Sequence, residues 1–357
     1  MRKRALSRAI VLSGAFLASA CAQLGRGAME QPGRPEAQRV VTADVDTFWA
    51  AYDSARTTTD SLAQLRIVQT RYIDRGTPGL RAFMAAKGYT AEDWVGAIRR
   101  YPKFWTSIRP NTYQAKAAAA GLTPYLTTLR TLYPALRPAT IYVTVGALRS
   151  SGTTQDRLVL IGAELVAGTP ETDISEFTGG THAFLARYFG SRPFANVIPL
   201  NVHEYVHTQQ RGVGRTVLAR AIREGSADWV AELATGTRMP LPYMTYGPAH
   251  EGELREAFRA EMFTPLIGNW FYNQKSDDPA HVPDLGYYMG YAIARAYYER
   301  APDKRQAVRE MIELSFDDDA AVEGFLARSG YYPGSVDKTQ CRSLNLCSAR
   351  FSWTLPR

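Results

Sequence analysis

Two histidines four residues apart, with a glutamate beside the first, restrict this chain more than any other feature. The stretch is His203-Glu204-Tyr205-Val206-His207, an H-E-x-x-H pattern. On a helix, positions i and i+4 lie about 40° apart around the axis, so both imidazoles point the same way. Two neutral imidazoles so placed can hold one Zn²⁺. Glu204 then sits where the general base for a metal-activated water is needed. Ile198, Pro199, Leu200, Val202, Tyr205 and Val206 form an apolar run around these residues. Three ionisable side chains buried unpaired in such a run would be costly, and a metal accounts for them.

A catalytic zinc of this type takes three protein ligands and keeps a fourth position open. Glu224 lies 17 residues after His207, within Arg223-Glu224-Gly225-Ser226-Ala227-Asp228. A second helix carrying Glu224 to the metal puts Asp228, one turn later, on the same face. There Asp228 can accept the distal N–H of a ligating histidine. The expected ligands are His203, His207 and Glu224, with Glu204 as base and Asp228 behind a histidine. Glu232 competes with Glu224, but it sits about 80° around the helix and lacks a carboxylate one turn on. A plain helix N-terminal carboxylate is the other reading of Glu224. Gly225, Ser226 and Ala227 are small enough to let this helix approach the first closely.

The N-terminus reads as an export signal. Met1-Arg2-Lys3-Arg4 and Arg8 are basic, Ala9 to Leu17 is a short apolar segment, and Ala18-Ser19-Ala20-Cys21 has the small residues of a cleavage site. The apolar segment is too short for a membrane span. Leu17-Ala18-Ser19-Ala20-Cys21 resembles a bacterial lipoprotein signal, in which Cys21 is lipidated; cleavage after Ala20 with free secretion is the alternative. Residues 22–41, rich in Gly, Pro, Gln and Arg, read as a flexible tether. Four of the basic residues behind the formal net charge of +8 belong to residues 1–21, which leaves about +4 on the remainder. That is near neutral for the length, and no basic stripe interleaved with aromatics occurs, so nucleic acid is not an expected partner. Cys341 and Cys347 form an isolated pair for which export permits a disulfide.

From residue 42 the chain reads as one α+β domain, mostly helical: a helical layer over 42–136, a core over 137–333 and a tail over 334–357. Helices are expected over 45–56, 61–75, 80–87 and 93–100, and one or two over 113–133. Pro102 and Pro110 bracket what reads as an irregular stretch. Thr140 to Val145 and Arg157 to Gly162 are strand-like and flank a Ser-Gly-Thr-rich segment, which predicts a hairpin. Leu158 to Ala163 is the candidate edge strand for an extended substrate. Residues 165–192 read as a surface loop with a short helix, and 240–250 as a loop. Further helices are expected over 198–210, 216–233, 251–263, 304–314 and 321–329, and 284–299 is rich in tyrosine and small residues.

An acyl-transfer site of this kind also needs a donor for the oxyanion. Leu285-Gly286-Tyr287-Tyr288-Met289-Gly290-Tyr291 offers phenols; Tyr288 and Tyr291, three apart on one helix face, are the expected pair, with aromatic packing as the bland alternative. His250-Glu251 is a further candidate for the cleft lining, while His182 and His281 read as surface or loop residues.

These segments together resemble a known family. Phe48-Trp49, Ile161-Gly162-Ala163-Glu164, His203 to Gln210, Glu224-Gly225-Ser226-Ala227-Asp228-Trp229, Leu285 to Tyr291 and Ser329-Gly330-Tyr331 look like the gliding-motility lipoprotein type of H-E-x-x-H zinc protease, a gluzincin-like group. The resemblance covers most of the chain after the signal. It implies a gluzincin-like core, one zinc ion, a peptide or protein substrate, and a lipid-anchored protein of the periplasm or cell envelope. It also carries an alternative: a non-catalytic envelope lipoprotein that binds or scaffolds partners.

Overall fold

The cleft is built along a small mixed sheet. In the computed structural model, residues 39–273 and 281–334 are described. Four short strands, β1 (Arg39–Val41), β2 (Thr140–Thr144), β3 (Gly152–Gln155) and β4 (Leu158–Gly162), lie in the order β1-β2-β4-β3. β2 pairs with β1 and with β4 in parallel, with Thr140 opposite Leu158; β3 pairs antiparallel to β4, with Gly152 opposite Ile161. The expected hairpin between 140–145 and 157–162 is therefore wrong. The Ser-Gly-Thr-rich segment is itself a strand, and β4 inserts between β2 and β3. The expected tether is also too long by three residues, since Arg39–Val41 already joins the sheet.

β4 cannot be the edge strand either. It has a neighbour on each side, and Val159, Leu160 and Ile161 are all buried. A strand covered on both faces reads as a continuous apolar run, which Val-Leu-Ile is. The open edge beyond β4 belongs to β3, whose Thr153 and Thr154 are half-buried.

The first half of the chain supplies a helical layer: α1 (Ala43–Ala55), α2 (Ser61–Val68), α3 (Pro78–Lys87), α4 (Ala91–Arg100), α5 (Pro102–Ala120) and α6 (Thr123–Leu132). A π-turn over Gln69–Ile73 continues α2. Its core is aromatic: Phe48, Trp49, Tyr72 and Trp105 meet with ring centroids 5.0 to 5.2 Å from Phe48. Polar ends dock this cluster on the sheet. The Tyr72 hydroxyl donates to the Val145 carbonyl at 2.6 Å, and Trp94 Nε1 donates to the Gly146 carbonyl at 2.9 Å. The stretch between Pro102 and Pro110 is helical, contrary to expectation. Pro102 stands in the first turn, where a missing N–H costs nothing. Pro110 is carried inside α5 because Phe104, Trp105, Ile108 and Thr112 bury one face on both sides of it.

α7 (Ala163–Val166) follows β4 directly, and its Glu164 is fully buried. Its carboxylate accepts the Gly146 N–H at 2.8 Å and the Leu148 N–H at 3.2 Å, so it shapes the loop from β2 to β3. Residues 165–167 are thus core, not surface loop. α8 (Gly179–Gly190), α9 (Val197–His207), α10 (Val217–Thr235), α11 (Pro242–Tyr246), α12 (Glu251–Glu261), α13 (Leu285–Arg300), α14 (Lys304–Glu313) and α15 (Asp319–Ser329) complete the element order. The described residues share one hydrophobic core. No helix among them is long and apolar enough to cross a membrane.

α10 runs through the middle of the second half and packs on both α9 and α13. A Cβ at Gly225 would overlap the Tyr291 amide nitrogen and Gly290; a Cβ at Gly290 would overlap the Ala221 carbonyl. The close approach made by Gly225 is therefore to α13, not to the histidine helix α9. α9 is oriented differently. Its buried Tyr205 hydroxyl accepts the Ala139 N–H at 2.8 Å, just before β2.

Two outcomes follow from this packing. Gly225→Ala or Gly290→Ala overlaps backbone that has no room to yield, and should cost about 3 kcal/mol or more in urea unfolding; a loss under about 1 kcal/mol would contradict the crossing. Burial pushes the Glu164 carboxyl up to about 7, against the two backbone donors. Its native pKa therefore exceeds the unfolded value of 4.5. Its contribution is fully present below pH 4.5 and is lost as pH rises through about 7, a change of about 3 kcal/mol. The stability gap between wild type and Glu164→Gln should narrow accordingly from pH 4.5 to 8. A pH-independent gap would refute the assignment.

Candidate metal centre

The H-E-x-x-H stretch forms the C-terminal half of α9, with His203, Tyr205, Val206 and His207 buried. α10 carries Glu224 and Asp228 in its buried face. Thr216 caps α10 by accepting the Ala219 N–H, and Gly236 ends it in the left-handed conformation. The two helices bring the expected ligands together. Glu224 Oε2 lies 2.9 Å from His207 Nε2 and 3.6 Å from His203 Nε2. Ligand atoms of the three residues all lie within 4.8 Å of one another, and this is the group among the described residues that can hold a metal ion.

The donor set fits a metal on its own chemistry. His203 Nδ1 is 2.7 Å from Asp228 Oδ1, and His207 Nδ1 is 2.6 Å from Gln210 Oε1. Both partners are acceptors, so each imidazole places its proton on Nδ1 and turns the Nε2 lone pair inward. Two lone pairs and a carboxylate oxygen then converge on one buried point, which repels itself unless a cation stands there. Tetrahedral zinc with bonds near 2.0 Å spaces its ligand atoms by about 3.3 Å, and 2.9 and 3.6 Å bracket that value. The other Glu224 oxygen is occupied: Oε1 accepts Arg223 Nη1 at 2.6 Å, leaving Oε2 for a metal.

Without a metal, protons do the same work. Burial pushes the His203 imidazolium down, but the Asp228 carboxylate, Glu224 and Glu204 outweigh it and raise it to about 10. Burial pushes the Glu224 carboxyl up, yet the charge on His207 and hydrogen bonds from both histidines hold it well below the usual range.

Glu204 points elsewhere. It is half-buried, lines the cleft, and has no hydrogen bond or ion pair among the described residues. Across from it lies β3. A Cβ on Gly152 would come within 3.0 Å of Glu204 Oε1, so glycine there keeps the strand edge close to the carboxylate. The cleft between β3 and the metal ligands has a volume of about 570 Å³.

The expected tyrosines do not reach it. The Tyr288 hydroxyl donates to Glu251 Oε2 at 2.7 Å and the Tyr291 hydroxyl to Glu232 Oε2 at 2.8 Å; neither ring lines the cleft. Their burial follows from the apolar side of α13, and each phenol there satisfies a carboxylate. The preceding Tyr287 faces the cleft instead, its ring 6.5 Å from that of His203 and stacked on Tyr243 at 5.1 Å. The Tyr243 hydroxyl donates to Asp228 Oδ2 at 3.2 Å, behind His203. Burial, then neighbouring carboxylates, hold the Tyr287 and Tyr243 hydroxyls protonated well beyond the ordinary phenol range.

Glu232 is no ligand, for it is clamped by Arg238 and Tyr291. His250 stacks on Tyr246, and Glu251 accepts from Tyr288 and Tyr331, so this pair does not line the cleft. His182 is exposed, and His281 meets the Asn273 carbonyl. Gln210, Tyr243 and Tyr287 were not singled out from the sequence. Gln210 had a readable signal, since it follows His207 by three residues, the spacing of one turn. Tyr243 had none, because 240–250 reads as loop while Pro242–Tyr246 is helical. Cys21, Cys341 and Cys347 lie outside the described residues, as do residues 335–357 of the expected tail.

The chain matches no family model, no curated protein and no solved structure.

Removing either outer partner should loosen the metal without abolishing the site. Gln210→Ala and Asp228→Ala should each lower Zn²⁺ affinity about 10- to 100-fold in chelator competition, and Glu232→Gln should leave it unchanged. Unaltered affinity in both of the first two variants would contradict the geometry.

Proposed function

We propose that this protein is a zinc-dependent peptidase with a gluzincin-like core, exported to the cell envelope. The observation that carries the reading is the pairing of a three-donor buried centre, which leaves a fourth position for a reacting group, with an unpaired carboxylate beside it. His203, His207 and Glu224 would hold the ion. When bound, Zn²⁺ supplies Lewis acidity toward a carbonyl oxygen and makes water more acidic.

The chain's own groups supply the rest. Glu204, adjacent in sequence to a ligand and free of partners, takes the proton from the attacking water and delivers it to the departing amine. Tyr287 replaces Tyr288 and Tyr291 as the oxyanion donor; its hydroxyl stays protonated, as a hydrogen-bond donor must. Asp228 and Gln210 keep the imidazoles in the ligating tautomer. The free edge of β3, with Gly152 against Glu204, suits an extended peptide added to the sheet. The kinship with gliding-motility lipoproteins and the anchor at Cys21 belong to the same proposal and rest on sequence pattern.

The test compares wild type with Glu204→Gln, both lacking residues 1–21, on a peptide library, with bound zinc measured in parallel. Equal zinc in both, with cleavage reduced about 10²- to 10⁴-fold in the variant, is the expected result. Absence of zinc from wild type would remove the metal claim. Zinc without cleavage of any peptide would favour a binding or scaffolding role. Tyr287→Phe should lower kcat by about 10²-fold with little change in zinc content, while Tyr288→Phe should leave kcat near wild type.

A further inference from the structure

One wall of the cleft carries a cation with no counterion among the described residues. Arg220 lies on α10 one helical turn before the ligand Glu224, on the same face, and lines the cleft. Its guanidinium makes two contacts, both at 3.5 Å, to the Tyr272 hydroxyl and the Gly214 carbonyl. Its Nε is buried and has no partner among the described residues. No described carboxylate lies within ion-pair distance of it. The neighbouring arginines are committed: Arg149 to Asp93 and the carbonyls of Lys87 and Gly88, and Arg223 to Glu224 and the Gly212 carbonyl. A half-desolvated guanidinium without an anion is unfavourable unless a ligand provides one.

A second feature stands beside it. Tyr272 has a left-handed backbone, φ 58°, which a bulky side chain rarely adopts. The Asp284 carboxylate holds it there, accepting the Tyr272 N–H at 2.6 Å. Tyr272 is 59% exposed at the cleft mouth, and Val213, 55% exposed, shares that rim. Strain kept in place by a specific partner is characteristic of sites that contact ligands.

We infer that Arg220, with the Tyr272 hydroxyl and the apolar rim of Tyr272 and Val213, forms a subsite for a substrate carboxylate. The planar guanidinium fork matches a carboxylate through Nη1 and Nη2, and the phenol adds a third donor. The apolar rim takes the carbon skeleton that bears the acid. Four residues separate Arg220 from Glu224, about 6 Å along the axis, so the acidic group sits close to the bond aligned at the metal ligands. The carboxylate belongs to an aspartate or glutamate side chain or to the C-terminus of the peptide. This inference rests on the peptidase reading for its substrate but is tested by binding.

The probes are fluorescent peptides in matched sets: Glu against Gln at each position, and a free C-terminal carboxylate against its amide. Their affinities for the zinc-loaded Glu204→Gln chain are measured by anisotropy, with and without Arg220→Met, and wild-type cleavage is followed on the same peptides. At least one acidic member should bind about tenfold or more tightly than its neutral partner. Arg220→Met should erase that preference while leaving zinc content and thermal midpoint unchanged, and Arg220→Lys should restore part of it. The Glu–Gln sets identify a side-chain acid, and the acid–amide sets a C-terminal one. Equal binding of acidic and neutral members, a preference that survives Arg220→Met, or no binding of any peptide would each overturn the subsite. Cleavage without charge preference removes the subsite and spares the peptidase. Arg220-dependent binding without cleavage removes the peptidase and spares the subsite.

Discussion

The convergence of two imidazole nitrogens and one carboxylate oxygen on a single buried point is the constraint on which the rest depends. Glu224 Oε2 sits 2.9 Å from one Nε2 and 3.6 Å from the other, and all three side chains are buried. Such a group is tolerable only when a cation compensates it and every outward-facing atom is satisfied. That requirement explains the shell around it. Asp228 and Gln210 take the two Nδ1 protons, Arg223 takes the second Glu224 oxygen, and Tyr243 supports Asp228. The turn after α9 is held in the same network, since Gln210 Nε2 donates to the Arg223 carbonyl and Arg137 to the carbonyls of Thr208 and Gln209.

α10 links this centre to the cleft. Its turns carry, in succession, Arg220, the candidate ligand Glu224 and Asp228, which accepts from His203. Gly225 meanwhile lets α13 approach to backbone contact. That crossing sets the rotation of α13 and so selects which of three tyrosines faces the histidines. On the opposite wall, Gly152 does a comparable job by keeping a strand edge beside Glu204. The geometry of the cleft thus relies on two places where a side chain is absent.

The parts of the site legible in the sequence are those governed by a single helix. His203 with His207, and Glu224 with Asp228, share faces because 100° per residue is a local property. The helix boundaries after residue 197, Pro242–Tyr246 apart, follow for the same reason, with small shifts at their ends. Tyr288 and Tyr291 were misassigned because the face of α13 turned toward the cleft is decided by Gly290 against Ala221, residues far apart in sequence. The hairpin was misassigned because β-branched runs reveal strands but not their partners; parallel pairing of β2 with β4 is a nonlocal choice. Arg220 was invisible for a related reason: an arginine with no counterion among the described residues looks like any other until its surroundings are known.

The sequence by itself determined the ligand types, their spacing and the helical frame that carries them, since these follow from helix periodicity and donor chemistry. Tertiary structure alone decided that Tyr287 faces the histidines, that β3 is the open edge, and that Gln210 stands behind His207. Each of these depends on how one element is rotated or ordered against another. That is fixed by close packing between distant residues, which no local pattern encodes.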